Sequence, residues 1–137
     1  MRSAFIDSGA FIAFMDRSDQ WHDQVDALFA APPKRLLTSV LVVAETYGWM
    51  LHRMGEDSAR AFRALVSSLP GLELVVADST LLDDAGRKLD ALRGRKLSLV
   101  DASSLVILEA RHIPTAWGTD HHLGLEGALV TPGPSRR

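Results

Sequence analysis

The stretch Ala4-Phe5-Ile6-Asp7-Ser8-Gly9-Ala10 sets the reading of the whole chain. Three apolar residues meet a carboxylate and then small residues, after which Phe11, Ile12 and Phe14 resume an apolar pattern. This predicts a buried strand feeding a helix, with Asp7 at the junction. Ligands in open α/β sheets collect outside the carboxyl ends of the strands. Asp7 therefore either caps the helix, with Ser8 assisting, or faces a site.

Working outward, Asp16 to Asp19 is a polar break, and Trp21, Val25, Leu28 and Phe29 are spaced for one face of a second helix. Pro32-Pro33 stops it. Leu36-Leu37-Thr38 predicts a second strand, and Ser39 caps a third helix from Val40 to His52. Asp57 opens a fourth helix, ended by Pro70-Gly71. Leu72 to Ala77 reads as a third strand. Asp78, Ser79 and Thr80 offer caps for a fifth helix from Leu81 to Leu92, which Gly94 breaks. Ser98 starts a sixth helix running to Ala110. Thr115-Ala116-Trp117 forms a fourth strand, closed by Gly118-Thr119-Asp120, and Leu129-Val130 a fifth. Strands alternating with helices predict a three-layer α/β/α sandwich around a mostly parallel sheet. Residues 1–132 are expected to form one domain, followed by a frayed tail at 133–137.

The 137 residues are 47% hydrophobic and 23% charged, the balance of an ordinary globular chain. No apolar run is long enough to suggest a membrane span, and Asp7 interrupts the stretch that a secretory signal would need. The absence of cysteine excludes disulfides and thiolate metal sites, and suits a cytoplasmic protein. A net charge of −2 excludes a globally basic nucleic-acid binder. Arg87, Lys88, Arg93, Arg95 and Lys96 nevertheless cluster within ten residues, as a solvated face or as a local phosphate-contact patch.

Four acids fall in related settings. Asp7 and Asp120 follow predicted strands, Asp101 lies in the first turn of a helix, and Glu45 follows an apolar helical run. Each has a plain alternative: Asp101 as the acid of a capping box begun by Ser98, Asp120 as a turn residue, Glu45 as a surface glutamate. Gathered at one sheet edge, such carboxylates would repel one another by roughly 3 kcal/mol per pair, at about 5 Å and an effective dielectric of about 20. A divalent cation relieves that repulsion, and all-oxygen donors select Mg²⁺ or Mn²⁺ over zinc.

The order Phe5-Ile6-Asp7-Ser8, Val43-Ala44-Glu45, Leu99-Val100-Asp101-Ala102 and Gly118-Thr119-Asp120-His121-His122 resembles the PIN-domain nucleases, above all the VapC-type toxins. The resemblance runs from Ala4 to about Val130. It implies one or two Mg²⁺ or Mn²⁺ ions and hydrolysis of single-stranded or looped RNA. By the same resemblance Asp7 and Asp101 would be the principal metal ligands, Glu45 would complete or bridge the site, and Asp120 would hold water at the metal. Ser8 and Thr119 would supply supporting hydroxyls. A cognate antitoxin protein and a homodimer are implied as partners. Leu123, where the family often carries Phe, is a departure that touches packing.

Competing readings remain. His121-His122 beside Asp120 invites zinc, but no third nitrogen or sulfur ligand stands at zinc-like spacing, leaving a loop pair near the site mouth. Trp49 and Trp117 read as core or interface residues. A phosphatase using Asp7 as nucleophile would want an acid where Gly9 stands. A receiver-like signalling domain would use Leu74-Val75-Val76-Ala77-Asp78, but lacks an acidic pair after the first strand and a late lysine. A housekeeping RNA-processing nuclease would carry the same four acids, as would a PIN-fold binding module without catalysis.

Overall fold

The computed structural model describes residues 2–133; the expected fraying of the tail falls on 134–137, outside the described residues. The chain runs β1 (Ser3–Ile6), α1 (Ser8–Met15), α2 (His22–Ala30), β2 (Arg35–Ser39), α3 (Val40–Met54), α4 (Glu56–Ser68), β3 (Leu72–Val75), α5 (Ser79–Ala91), α6 (Leu99–Ala110), β4 (Thr115–Gly118) and β5 (Leu129–Pro132). A 3₁₀ turn at His121–Gly124 joins the last two strands.

The sheet has the order β3-β2-β1-β4-β5, and every neighbouring pair is parallel. Parallel strands connected by right-handed crossovers put helices on both faces. The links from β1 to β2 and from β2 to β3 travel one way, so α1 to α4 cover one face. The link from β3 to β4 returns across the sheet and lays α5 and α6 on the other. The packing agrees: α1 contacts α2 and α3, α3 lies on α4, and α5 lies on α6. The expected three-layer α/β/α sandwich is therefore the fold.

β1 lies at the centre, and all four of its residues are buried, as a strand covered on both faces requires. Behind it an aromatic cluster joins the helices to the sheet. Phe11 meets Phe62 edge-on at 5.1 Å between ring centroids, and Phe29 meets the fully buried Trp117 at 5.1 Å. Gly55, with φ of +97°, lets α3 turn directly into α4, a conformation glycine adopts without steric penalty.

β3 stops at Val75, two residues short of the expected Ala77. Its ladder with β2 ends at the pair Ser39–Val75, because β2 turns into α3 at Val40 and leaves Val76 nothing to pair with. Val76 is accordingly 71% exposed.

Candidate functional site

The sheet order reverses direction between β1 and β4, the point where open α/β sheets form a crevice. Ile6 pairs with Trp117 in register, and the Asp7 N–H donates to the Trp117 carbonyl at 2.9 Å. The two chains thus leave the sheet side by side, Asp7 on one and Gly118-Thr119-Asp120 on the other. Glycine at two positions lets them approach. A Cβ on Gly9 would stand 2.6 Å from Thr119 Oγ1, and one on Gly118 would stand 2.7 Å from Leu123 Cδ1 and 3.4 Å from Asp7 Cβ. Leu123, the departure from the family pattern, thus packs over Gly118, and it is 1% exposed.

Local signals bring in the other two acids. Ser39 ends β2 and its Oγ accepts from Val42 N–H at 3.1 Å, so α3 starts at the sheet edge and carries Glu45 into position. The Thr38 hydroxyl donates to the Ile6 carbonyl at 2.7 Å, tying β2 to the end of β1. Ser98 opens α6 with a full capping box: Ser98 Oγ accepts from Asp101 N–H at 2.9 Å, and Asp101 Oδ2 accepts from Ser98 N–H at 3.1 Å. Asp120 Oδ1 accepts from His122 N–H at 3.0 Å and so starts the 3₁₀ turn.

All four acids line one cleft of about 400 Å³, together with Ser8, Gly9, Ile12, Trp49, Ser98 and Thr119. Asp7 lies at its base, 5% exposed. It stands at the N-terminus of α1 without making a side-chain capping bond, and its Oδ1 has no hydrogen-bond partner. Burial pushes the Asp7 carboxyl up to about 7; the Ser8 N–H opposes this, and the negative charges of Asp101, Glu45 and Asp120 each push further upward. Glu45 is also raised, first by desolvation, with the Ser8 hydroxyl pulling against it and the Asp101 charge adding to it. The cleft therefore gathers four carboxyl groups, and burial and neighbouring charge hold two of them, Asp7 and Glu45, above their ordinary range.

Other expectations come out differently. His122, expected with His121 as a loop pair near the site mouth, lies in the 3₁₀ turn beside Asp120. It is half-buried, with Nδ1 2.8 Å from Asp120 Oδ1 and 3.9 Å from Asp101 Oδ2, yet badly directed, so that Nδ1 makes no hydrogen bond. Asp120, His121 and His122 together form a cluster able to hold a metal ion. Trp49, expected in the core or an interface, lines the cleft; its place four residues after Glu45 on a helix is the signal that would have revealed it. The basic segment divides. Arg87 pairs with Asp84, and Lys88 bridges Glu109 at 3.0 Å and Glu126 at 2.7 Å with its side chain 14% exposed. Both cations are thus paired with acids in the structure, Arg87 at an exposed position and Lys88 at a half-buried one. Arg93, Arg95 and Lys96 lie exposed on the loop before Ser98. Asp78 caps α5, accepting from Leu81 N–H at 2.9 Å beyond the edge strand β3, which gives no support to a receiver-like site. Among the described residues no helix is long and apolar enough to cross a membrane.

A family model described as PIN domain matches residues 4–123. The chain belongs to the PIN-domain family. Among relatives, the 23S rRNA-specific endonuclease VapC20 of Mycobacterium tuberculosis is 29% identical to this PIN domain over 124 residues, which is 90% of this chain and 93% of the relative. The crystal structure of VapC20 from Mycobacterium tuberculosis, described as a sarcin-ricin loop cleaving toxin, has a TM-score of 0.85 at 25% identity. It covers 92% of this PIN domain and 96% of that chain. VapBC2 from Rickettsia felis, bound to a DNA fragment from its promoter, shares the fold with a TM-score of 0.62 at 10% identity, over 93% of this chain and 96% of its own. The VapC-type resemblance carried by the four acidic segments thus extends over nearly the whole PIN domain.

Proposed function

We propose that this PIN domain is a divalent-metal-dependent endoribonuclease and the toxin of a toxin–antitoxin pair, with Asp7, Glu45, Asp101 and Asp120 as the residues that hold Mg²⁺ or Mn²⁺. The observation that carries the reading is the buried Asp7 carboxylate. One oxygen is unpartnered, three further acids act on its charge, and all four line the same cleft. A buried carboxylate in that setting is costly unless a cation compensates it, and an all-oxygen donor set suits Mg²⁺ or Mn²⁺. The donors therefore fit the ion.

When bound, such an ion favours ionised water and stabilises charge developing on a phosphodiester. The chain's own residues set the geometry. The capping box engages only Asp101 Oδ2, and the 3₁₀ turn engages only Asp120 Oδ1, so each carboxylate is oriented by a hydrogen bond to one oxygen while the other stays available. The Ser8 hydroxyl acts against the upward shift of Glu45, and Thr119 packs against Gly9 at the base of the cleft. Arg93, Arg95 and Lys96 would meet RNA phosphates beside the mouth.

VapC20 is named as a 23S rRNA-specific endonuclease, which makes purified 23S ribosomal RNA the natural test substrate. With Mg²⁺ or Mn²⁺ the protein should cut it at few sites, leaving 5′-phosphates, and EDTA should stop cleavage. Undiminished cutting in excess EDTA would sink the metal-dependent mechanism. The toxin reading carries a cognate antitoxin and a homodimer with it, whereas a housekeeping processing nuclease needs no antitoxin. A short neighbouring reading frame encoding a DNA-binding N-terminus separates the two.

A further inference from the structure

Trp49 and Arg53 carry none of the carboxylates proposed to hold the metal, yet they stand in line with Glu45, and Trp49 lines the same cleft. Glu45, Trp49 and Arg53 follow at four-residue intervals along α3, which places them on one stripe of the helix with about 6 Å of axial rise between neighbours. Glu45 and Trp49 both line the cleft, with Ile12 as apolar lining nearby. The Arg53 guanidinium lies over the Trp49 ring, 5.5 Å from the centroid. Trp49 is half-buried and Arg53 is exposed.

We infer that this stripe is a nucleotide-binding wall, on which Trp49 stacks an unpaired base next to the scissile phosphate and Arg53 pairs with a phosphate further along the strand. The inference rests on the ribonuclease reading above and specifies the form of RNA that the cleft admits. Three features carry it. An exposed guanidinium over the indole means that a surface side chain, not the core, covers this ring face, while the rest of Trp49 packs against the core. A planar cation there is the placeholder for another flat group: a base can take its position, and the displaced guanidinium then has a phosphate in reach. The direction is also right, since the stripe starts at Glu45 in the acid cleft and leads outward. Bases in a duplex are already stacked on their neighbours and present no free face, so the wall selects single-stranded or looped RNA.

A purely structural account makes Trp49 a packing residue and its contact with Arg53 an ordinary pair one turn apart on a helix. Saturation kinetics on 23S ribosomal RNA in Mg²⁺ separates the two, using wild type, Trp49→Leu, Trp49→Phe and Arg53→Ala, with melting curves as the folding control. Trp49→Leu should raise the half-saturating RNA concentration by about 5- to 150-fold, the range of one base–aromatic stack, while turnover at saturation changes far less. Trp49→Phe retains a π-face and should recover most of the loss. Arg53→Ala should flatten the salt dependence of binding by somewhat less than one unit of slope. A second measurement needs no stable Leu variant: a mixed-sequence single-stranded RNA dodecamer in Ca²⁺ should quench the indole emission of wild type and not of Trp49→Phe, and a duplex of the same sequence should quench neither. Equal half-saturation for wild type and Trp49→Leu would overturn the inference. So would loss of turnover at unchanged half-saturation, which would make Trp49 a mere support for Glu45, or an absence of quenching by the single strand. A wild type that cuts neither 23S ribosomal RNA nor total cellular RNA in Mg²⁺ or Mn²⁺ would remove the ribonuclease reading itself and this inference with it; a wild type that cuts, with unaltered variants, removes the stacking wall alone.

Discussion

Asp7 concentrates the chemistry of the molecule in one carboxyl group. Its ordinary value of 3.8 rises to about 7, chiefly through burial, so the folded chain holds that proton more tightly than the unfolded chain does. For such a group the stabilising contribution is complete below the unfolded value and is lost as pH climbs through the folded one. In EDTA the wild type should therefore lose stability between about pH 4 and pH 7, by up to roughly 4 kcal/mol at about 1.36 kcal/mol per unit. Glu45, raised in the same direction, adds to the trend. Asp7→Asn lacks the Asp7 contribution, so melting curves in EDTA should converge with wild type near pH 4 and favour the mutant near pH 8. At pH 7.5 Mg²⁺ should raise the wild-type melting temperature and move Asp7→Asn much less, because a ligand stabilises only the state that binds it. Two curves parallel across the whole pH range would mean that the Asp7 carboxylate is well solvated and the cleft is not a cage.

At the scale of elements, the starts of α3, α5 and α6 were legible because each rests on chemistry within a few residues, whereas α4 starts at Glu56 behind Gly55, with no side-chain cap from the expected Asp57. Ser39, Asp78 and Ser98 all make the capping bonds their residue types promise. The end of β3 was not legible, because it depends on where the neighbouring strand β2 turns into a helix. α6 shows the limit more sharply. From the chain alone, Asp101 was either a capping-box acid or a site acid; in the fold it completes the capping box and also lines the cleft. Two substitutions pull the roles apart. Asp101→Asn keeps an acceptor for the Ser98 N–H and removes one negative charge, so cleavage should collapse while the apo protein melts no lower than wild type. Ser98→Ala leaves the carboxylate and its bond from the Ser98 backbone but deletes the cap hydroxyl, so the protein should lose about 0.5–2 kcal/mol of stability and keep most of its activity. Stability and cleavage measured side by side would decide: a destabilised, active Asp101→Asn would make Asp101 a cap and nothing more.

Over the whole molecule, the convergence of four acids from positions 7, 45, 101 and 120 depends on a sheet order that reverses between β1 and β4. Residue types and order raised the possibility, but only the topology puts these chain segments at one edge. The basic segment illustrates the same dependence, since five cations adjacent in sequence acquire different surroundings in the fold. Lys88 is held between two glutamates from α6 and the segment before β5, whereas among the described residues Arg93 and Arg95 have no acid within ion-pair distance and stand just before Ser98 at the cleft. A chain of net charge −2 with an acidic cleft repels RNA at long range, and the exposed positive loop before Ser98 is the proposed source of local attraction. If Arg93 and Arg95 each neutralise one phosphate, replacing both with Ala should reduce the slope of log affinity against log salt by about 1.4, at roughly 0.7 per contact on a single strand. Turnover on saturating RNA should change little, because neither residue lines the cleft. Lys88→Ala should leave the slope alone and lower the melting temperature, since it strands Glu109 and Glu126 beside each other. Binding of single-stranded RNA measured from low to moderate salt distinguishes these outcomes. An unchanged slope in the double mutant would return the loop to the role of a solvated surface, and a reduced slope in Lys88→Ala would mean that RNA pulls Lys88 out of its ion pairs.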